Sequence, residues 1–265
     1  MLQNYLKITL RNIKRHKGYS AINLTGLAIG MACCIFILMW IKDEVSFDTF
    51  HQNSKNLYHV RLWTQEGDVR RDVAASPPAL GPALREEYPE ILNMARINNG
   101  QGEMVLLYKT KQFIERVQMA DPEIFELFTL PFVKGNPKSV FSDPHVMVLA
   151  ERTAKKIFGN EDPVDKIITV DNQYDFRVAG IMADIPHNST IQFDIWIPLT
   201  FTEEIWRPNY TQSWSNASFQ TYFLIQDSVS ADSVNQKIKG RIQQSNKNTT
   251  QEPFLVLFRD NYMEF

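Results

Sequence analysis

The side chains best suited to bind a metal or act as nucleophile or base are five histidines, at positions 16, 51, 59, 145 and 187, and two cysteines, Cys33 and Cys34. His51 and His59 are eight residues apart across an expected change from loop to strand, which is not the spacing that puts two ligands on one helix face. Asp184 and His187 fall together in Ala183-Asp184-Ile185-Pro186-His187-Asn188-Ser189. Pro, Asn and Ser are turn residues, so this segment reads as an ordinary turn. The sequence holds no phosphate-cradling GxxxxGK(S/T), and no GxSxG, HExxH, GxGxxG or paired CxxC. Cys33 and Cys34 are adjacent inside an apolar run, where neighbours rarely pair, and the remaining chain has no cysteine for a disulfide framework. No catalytic residue, metal ligand or cofactor site is nominated, and the expectation is a non-enzyme.

The charges are unevenly spread. Residues 1–42 carry Lys7, Arg11, Lys14, Arg15, Lys17 and Lys42 and no acid, leaving 22 basic residues against 30 acidic ones in residues 43–265. An acidic body lacks the positive surface that nucleic acid requires, which excludes it as a partner. The basic head precedes residues 21–41, AINLTGLAIGMACCIFILMWI, which contain no charge. As a helix this run rises ~31 Å, about the thickness of a bilayer's hydrocarbon core. Tyr19 and Trp40 flank it at the depths where amphipathic rings suit the interface, and Asp43 and Glu44 follow. The positive-inside rule therefore places the N-terminus in the cytoplasm and residues 43–265 outside, with Lys7, Arg11, Lys14, Arg15 and Lys17 setting the orientation. A cleaved signal would be shorter and end in small residues, but Met39-Trp40-Ile41-Lys42-Asp43 follows here. A lipoprotein signal would place Leu three residues before Cys33, where Gly30 stands. The span reads as an uncleaved anchor.

Within it, Gly26 and Gly30 form a GxxxG, continued by Ala28 and Ala32. Small residues four apart let a second helix approach closely, from another copy or another polypeptide. Residues 1–20 are expected as a basic amphipathic cytoplasmic segment. Leu2, Leu6, Leu10 and Ile13 recur at helical spacing opposite Lys7, Arg11 and Lys14, a pattern for lying along anionic headgroups.

Beyond residue 43, strand-like runs recur at 58–63, 104–108, 113–119, 146–149, 167–170, 174–181, 219–225 and 254–258. Asp171-Asn172-Gln173 between two of them reads as a hairpin turn. Helical stripes lie between: Leu80, Leu84 and Tyr88 after a start at Ser76-Pro77, an aromatic turn after Asp121-Pro122, residues 151–158 stopping at Gly159, and Val234, Ile238 and Ile242 opening near Asp232. Pro82 implies a kink or a later start in the first. Residues 243–252 read as a flexible loop. The class is α+β.

In order and spacing these segments resemble a MacB/FtsX-type ABC transporter permease. The likeness is carried by Leu6-Lys7-Ile8, Arg11-Asn12, His16-Lys17-Gly18-Tyr19-Ser20, Ile22-Asn23, Gly26 to Gly30 and Cys33-Cys34. Past the span it continues through Asp43-Glu44, Phe47-Asp48, Phe50-His51, Leu84 to Glu90, Ala120-Asp121-Pro122, Phe125 to Phe128, Ala154 to Gly159, Glu161-Asp162-Pro163, Gly180-Ile181, Pro186 to Ser189 and Tyr222-Phe223. The resemblance implies a non-catalytic permease subunit in a bacterial inner membrane, paired with a separate cytoplasmic ABC ATPase. It implies a periplasmic core domain with a porter-like part at 43–118 and 215–265 and an inserted β-rich lobe at 119–205. Its role would be export or mechanotransmission. The alternative is a single-pass anchored binding or sensor protein, dimerised through the GxxxG. Three departures stand out. The chain stops at Phe265 without the family's three later membrane helices, as a fragment, a split gene or a decayed remnant would, and the expected partner is those missing helices or a second permease copy. Asp165 replaces a glycine in a turn, which Asp tolerates. Ala150 replaces a capping hydroxyl before residue 151, at a cost of about 1 kcal/mol.

Overall fold

The structure, a computed structural model, describes residues 2–100 and 102–260, with the side chains of residues 2, 3, 6, 9, 10 and 12 left out. Two compact units divide the chain, Met1–Phe47 and Asp48–Phe265.

The first unit is two helices, α1 (Leu2–Arg15) and α2 (Lys17–Glu44), separated by His16 at φ −119°. Leu2, Leu6 and Leu10, expected on the apolar face of α1, lie outside the described side chains, whereas Ile13 is exposed. Helix α2 runs past the expected 21–41 at both ends and buries none of its residues. It is long and apolar enough to cross a membrane.

In the second unit, β1 (Leu57–Glu66), β2 (Val69–Val73), α3 (Leu80–Glu87) and β3 (Ile91–Asn98) come first. Next are β4 (Gly102–Tyr108), β5 (Lys111–Ala120), α4 (Ile124–Leu127), β6 (Phe132–Lys134) and β7 (Val146–Ala150). They are followed by α5 (Glu151–Phe158), β8 (Ile167–Val170), β9 (Tyr174–Met182), β10 (Ile195–Pro198) and α6 (Thr202–Ile205). Last are β11 (Phe219–Ile225), α7 (Ala231–Ile238), α8 (Arg241–Ser245) and β12 (Glu252–Leu257).

Strand pairing sorts these into two parts. The order β12-β1-β11-β3, antiparallel throughout, with α3 between β1 and β3 and α7 between β11 and β12, is a β-α-β-β-α-β arrangement. Alternation along β1 sends Val60 and Leu62 to one face, where Leu80, Leu84, Val234, Ile238 and Ile242 cover them. Leu57 faces the other side, with Ala95, Ile97 and Tyr222, beneath Ile124, Leu127 and Phe128.

Between β3 and β11, strands β5-β4-β8-β9-β7-β10 pair in sequence, and β10 pairs back onto β5 in parallel. Closing a sheet on itself removes its free edges. Leu106, Val117, Met147, Leu149, Ile168, Phe176, Val178 and Ile195 share one core inside it. Strand β7 is buried on both faces, because Val148 and Ala150 point outward into the cluster around α4. The hairpin β4–β5 belongs to this barrel by pairing, with β5 also bridging to β3 at Ala120.

Local details correct other expectations. Ser76 does not start a helix; its N–H donates to Phe219 O at 2.7 Å and its hydroxyl meets Thr221 Oγ1 at 2.7 Å, while α3 begins at Leu80. Pro82 then falls in the first helical turn, where a missing N–H costs nothing. Part of the expected loop at 243–252 is α8. Asp171 and Asn172 both have positive φ, 49° and 57°, at the centre of a tight turn that the Gln173 N–H closes onto Val170 O at 3.0 Å. Asp165 sits at φ 63°.

Phe176 is fully buried at the barrel's centre against Phe201 and His145. Phe176→Ala is expected to lower stability by about 3–5 kcal/mol, measured by urea titration of the full chain in detergent with tryptophan fluorescence. A loss below about 1 kcal/mol would contradict a closed, packed barrel.

Candidate functional site

Asp48 stands four residues after the last residue of α2. It adopts φ 55°, a left-handed conformation that Asp accepts more readily than most residues. Its side chain is fully buried. A buried carboxylate is tolerable only if its oxygens are satisfied, and here three donors come from one turn. Ser189 Oγ donates to Oδ1 at 3.1 Å, Thr190 N–H to Oδ1 at 3.0 Å and Thr190 Oγ1 to Oδ2 at 2.6 Å. The Asp48 N–H donates to Asn188 O at 2.9 Å.

His51, one turn on, is also fully buried, with Nε2 3.6 Å from Asp48 Oδ1. Its Nδ1 accepts the N–H of Thr129 at 3.0 Å. An accepting Nδ1 carries no proton, so the hydrogen-bond pattern assigns a neutral ring with its proton on Nε2, toward the carboxylate. Phe50, Phe128 and Phe258 box the imidazole at centroid distances of 4.1, 5.2 and 5.7 Å. Behind Phe128 and Phe258, Tyr222 stacks on His59 at 4.8 Å. Burial pushes the Tyr222 phenol up, and the negative charge of Asp48 pushes it further. The same turn is stitched to α4: Gln52 N–H donates to Thr129 Oγ1 at 2.8 Å, and Asn53 Nδ2 reaches the carbonyls of Glu126 and Leu127 at 3.1 and 2.9 Å. Asn53 thereby satisfies acceptors that the short helix leaves open. Residues 48–53 are thus knotted to 126–129 and 188–190, segments far apart in sequence.

A second buried polar centre joins the two parts of the domain. Arg96 on β3 pairs bidentately with Asp121, just after β5, through Nε at 2.7 Å and Nη2 at 2.9 Å. Its Nη1 donates to Pro78 O before α3 and to Thr211 O in the return connection, both at 2.8 Å. One guanidinium therefore ties the β-α-β-β-α-β part, the barrel and the chain leaving the barrel. Bidentate geometry makes this more directional than a lysine pair would be.

The Asp184–His187 segment has structural roles. Asp184 Oδ1 accepts the Arg152 N–H at 2.9 Å, which supplies from a distance the cap that Ala150 cannot give α5. Arg152 in turn pairs with Asp194. Asn188, Ser189 and Thr190 hold Asp48.

Lys7, Arg11, Lys14, Arg15 and Lys17 are exposed. Gly26, Ala28, Gly30 and Ala32 are exposed on α2, and nothing lies within 4 Å of a Cβ built on either glycine. At ~100° per residue, Ala28 and Ala32 lie on nearly the opposite side of the helix from Gly26 and Gly30, so the four residues form two stripes and not one. The Asp48–His51 knot escaped residue-type reasoning, because a lone His and Asp three apart in a turn look unremarkable. Its signal was the pair Phe47-Asp48 and Phe50-His51 together with Pro186 to Ser189.

A family model described as a MacB-like periplasmic core domain matches residues 20–241. Among solved structures, a domain assigned to a permease protein of Porphyromonas gingivalis aligns with a TM-score of 0.67 at 21% identity, covering 78% of this chain and 93% of its own. The periplasmic region of MacB from Actinobacillus actinomycetemcomitans aligns with a TM-score of 0.55 at 17% identity, covering 82% and 92%. The extracellular domain of the noncanonic ABC-type transporter YknZ from Gram-positive bacteria gives 0.53 at 13% identity, covering 76% and 100%. At these identities the likeness establishes the fold. No curated protein matches the chain.

Asp121→Ala strands the buried Arg96 charge and is expected to cost about 3–5 kcal/mol, read by chemical denaturation of the full chain. A loss below about 1 kcal/mol would show that the pair is solvent-screened and does not join the two parts.

Proposed function

The chain belongs to the MacB-like periplasmic core domain family, and from that premise we propose that it is the N-terminal part of a non-catalytic ABC transporter permease. In this reading α2 spans the bacterial inner membrane with α1 in the cytoplasm and the second unit in the periplasm. A separate cytoplasmic ATPase supplies the energy. Movement reaches the periplasm through the helix, and the role is export or mechanotransmission.

The observation that carries the reading is the buried knot at Asp48. A helix can transmit displacement to a folded domain only if the connection is stiff, and a loose linker would absorb it. Asp48, four residues after α2 in sequence, enters a site closed by Ser189 and Thr190, and His51 one closed by Thr129. Arg96 then provides the link from the β-α-β-β-α-β part to the barrel. Gly26 and Gly30 supply the packing stripe for another permease helix.

Crosslinking in native membranes followed by purification of the full chain tests this. An ABC ATPase and a permease polypeptide are expected to copurify, and Gly26→Leu with Gly30→Leu is expected to reduce recovery of the permease polypeptide about tenfold, the worth of 1–2 kcal/mol of helix packing. Recovery of a homodimer without any ATPase would overturn the transporter reading in favour of an anchored sensor.

A further inference from the structure

The Asp48–His51 knot is built so that an added proton breaks it. Thr129 N–H occupies His51 Nδ1 at 3.0 Å. A proton on that nitrogen turns an acceptor into a donor pointed at a donor, and the bond is lost. Phe128 packs edge-on and Phe258 tilted against the ring. We propose that His51 is a proton-sensitive latch, closed when neutral and released when protonated, which sets how tightly the turn after the membrane helix is held to the domain.

The surroundings of His51 bear on the direction. Asp48, on the same turn, places Oδ1 3.6 Å from Nε2. From the segment just after α4 come Phe128 and Thr129, both uncharged. The segment after β12 contributes Phe258, and the neighbouring Arg259 is exposed and pairs with Asp260. β11 contributes the Tyr222 phenol, which burial and Asp48 keep protonated, and β1 contributes His59 stacked behind it. Asp48 lies on the Nε2 side of the ring and the Thr129 N–H on the Nδ1 side. The outcome is therefore a choice between the Asp48 contact and the Thr129 bond, and not a general loosening. Imidazole is the side chain whose ordinary titration spans about pH 5 to 8, the range to which an extracytoplasmic domain is exposed. The latch rests on the coupling role proposed above, yet its readout does not: loss of transport would leave the amide measurement intact, and the reverse also holds.

Hydrogen exchange of the full chain in lipid nanodiscs tests it, following the amides of residues 127–133 and 49–56 at about pH 7.5 and about pH 5.5 after correction for intrinsic exchange. Protection at both segments is expected to fall about tenfold at the lower pH. His51→Gln retains an acceptor for Thr129 without titrating, and is expected to stay protected at both pH values. His51→Phe fills the aromatic box without an acceptor, and is expected to lose protection at both. His59→Gln is expected to behave as wild type. Equal protection of the wild-type chain at the two pH values would overturn the proposal. So would an undiminished pH response in His51→Gln, or neutral-pH protection of His51→Phe equal to wild type.

Discussion

A helix of 28 residues that buries none of them within its own chain sets the terms for everything else. Water is a poor solvent for the apolar run at 21–41, where removing each large side chain from water is worth about 1.5–3 kcal/mol. No part of the first unit covers that surface, so hydrocarbon or another protein must. Length favours hydrocarbon, since ~42 Å of helix exceeds the bilayer core and leaves a turn or more at each end for the interface. Under the positive-inside rule the basic residues would hold the N-terminal end in the cytoplasm, which is the orientation proposed above.

In the permease reading proposed above, the domain beyond the anchor has to be stiff. The fold meets that condition through polar centres set in apolar surroundings. Buried charges contribute little net stability compared with well-packed apolar groups, but removing one partner is costly. They act as registration points that permit one arrangement. Asp48 needs Ser189 and Thr190 in place, and Arg96 needs Asp121, Pro78 and Thr211 in place. Between these points the apolar clusters around α4 and within the barrel fill the volume.

Much of the architecture could be read from residue patterns, and the exceptions have physical reasons. The charge-free run was legible because length and flanking charge are unambiguous. β8, β9 and the turn at Asp171-Asn172 were legible because alternation and positive-φ residues coincide. Strand β3 was not, since Asn93, Arg96 and Asn98 interrupt its apolar run. Arg96 is a buried polar residue whose partners lie on distant segments, and the buried Asn98 side chain turns to Gly100 two residues on. β10 was missed because four residues buried on both faces show no alternation. The cap at Asp184 was invisible for the same reason as the Asp48 knot: side chains meeting across 32 or 141 residues leave no local period to read. The resemblance to a permease singled out Phe47-Asp48, Phe50-His51 and Pro186 to Ser189 as separate stretches, and only the structure pairs Asp48 with Ser189 and Thr190.

Orientation across the bilayer is the claim on which this account turns, and cysteine accessibility measures it directly. With Cys33 and Cys34 replaced by alanine, Ser215→Cys and Tyr5→Cys variants of the full chain are treated with a membrane-impermeant maleimide in intact spheroplasts. Label is expected on the cysteine at position 215 before permeabilisation and on the one at position 5 only after it. The opposite pattern, or label at both positions in intact spheroplasts, would contradict the arrangement of basic head, membrane helix and outer domain.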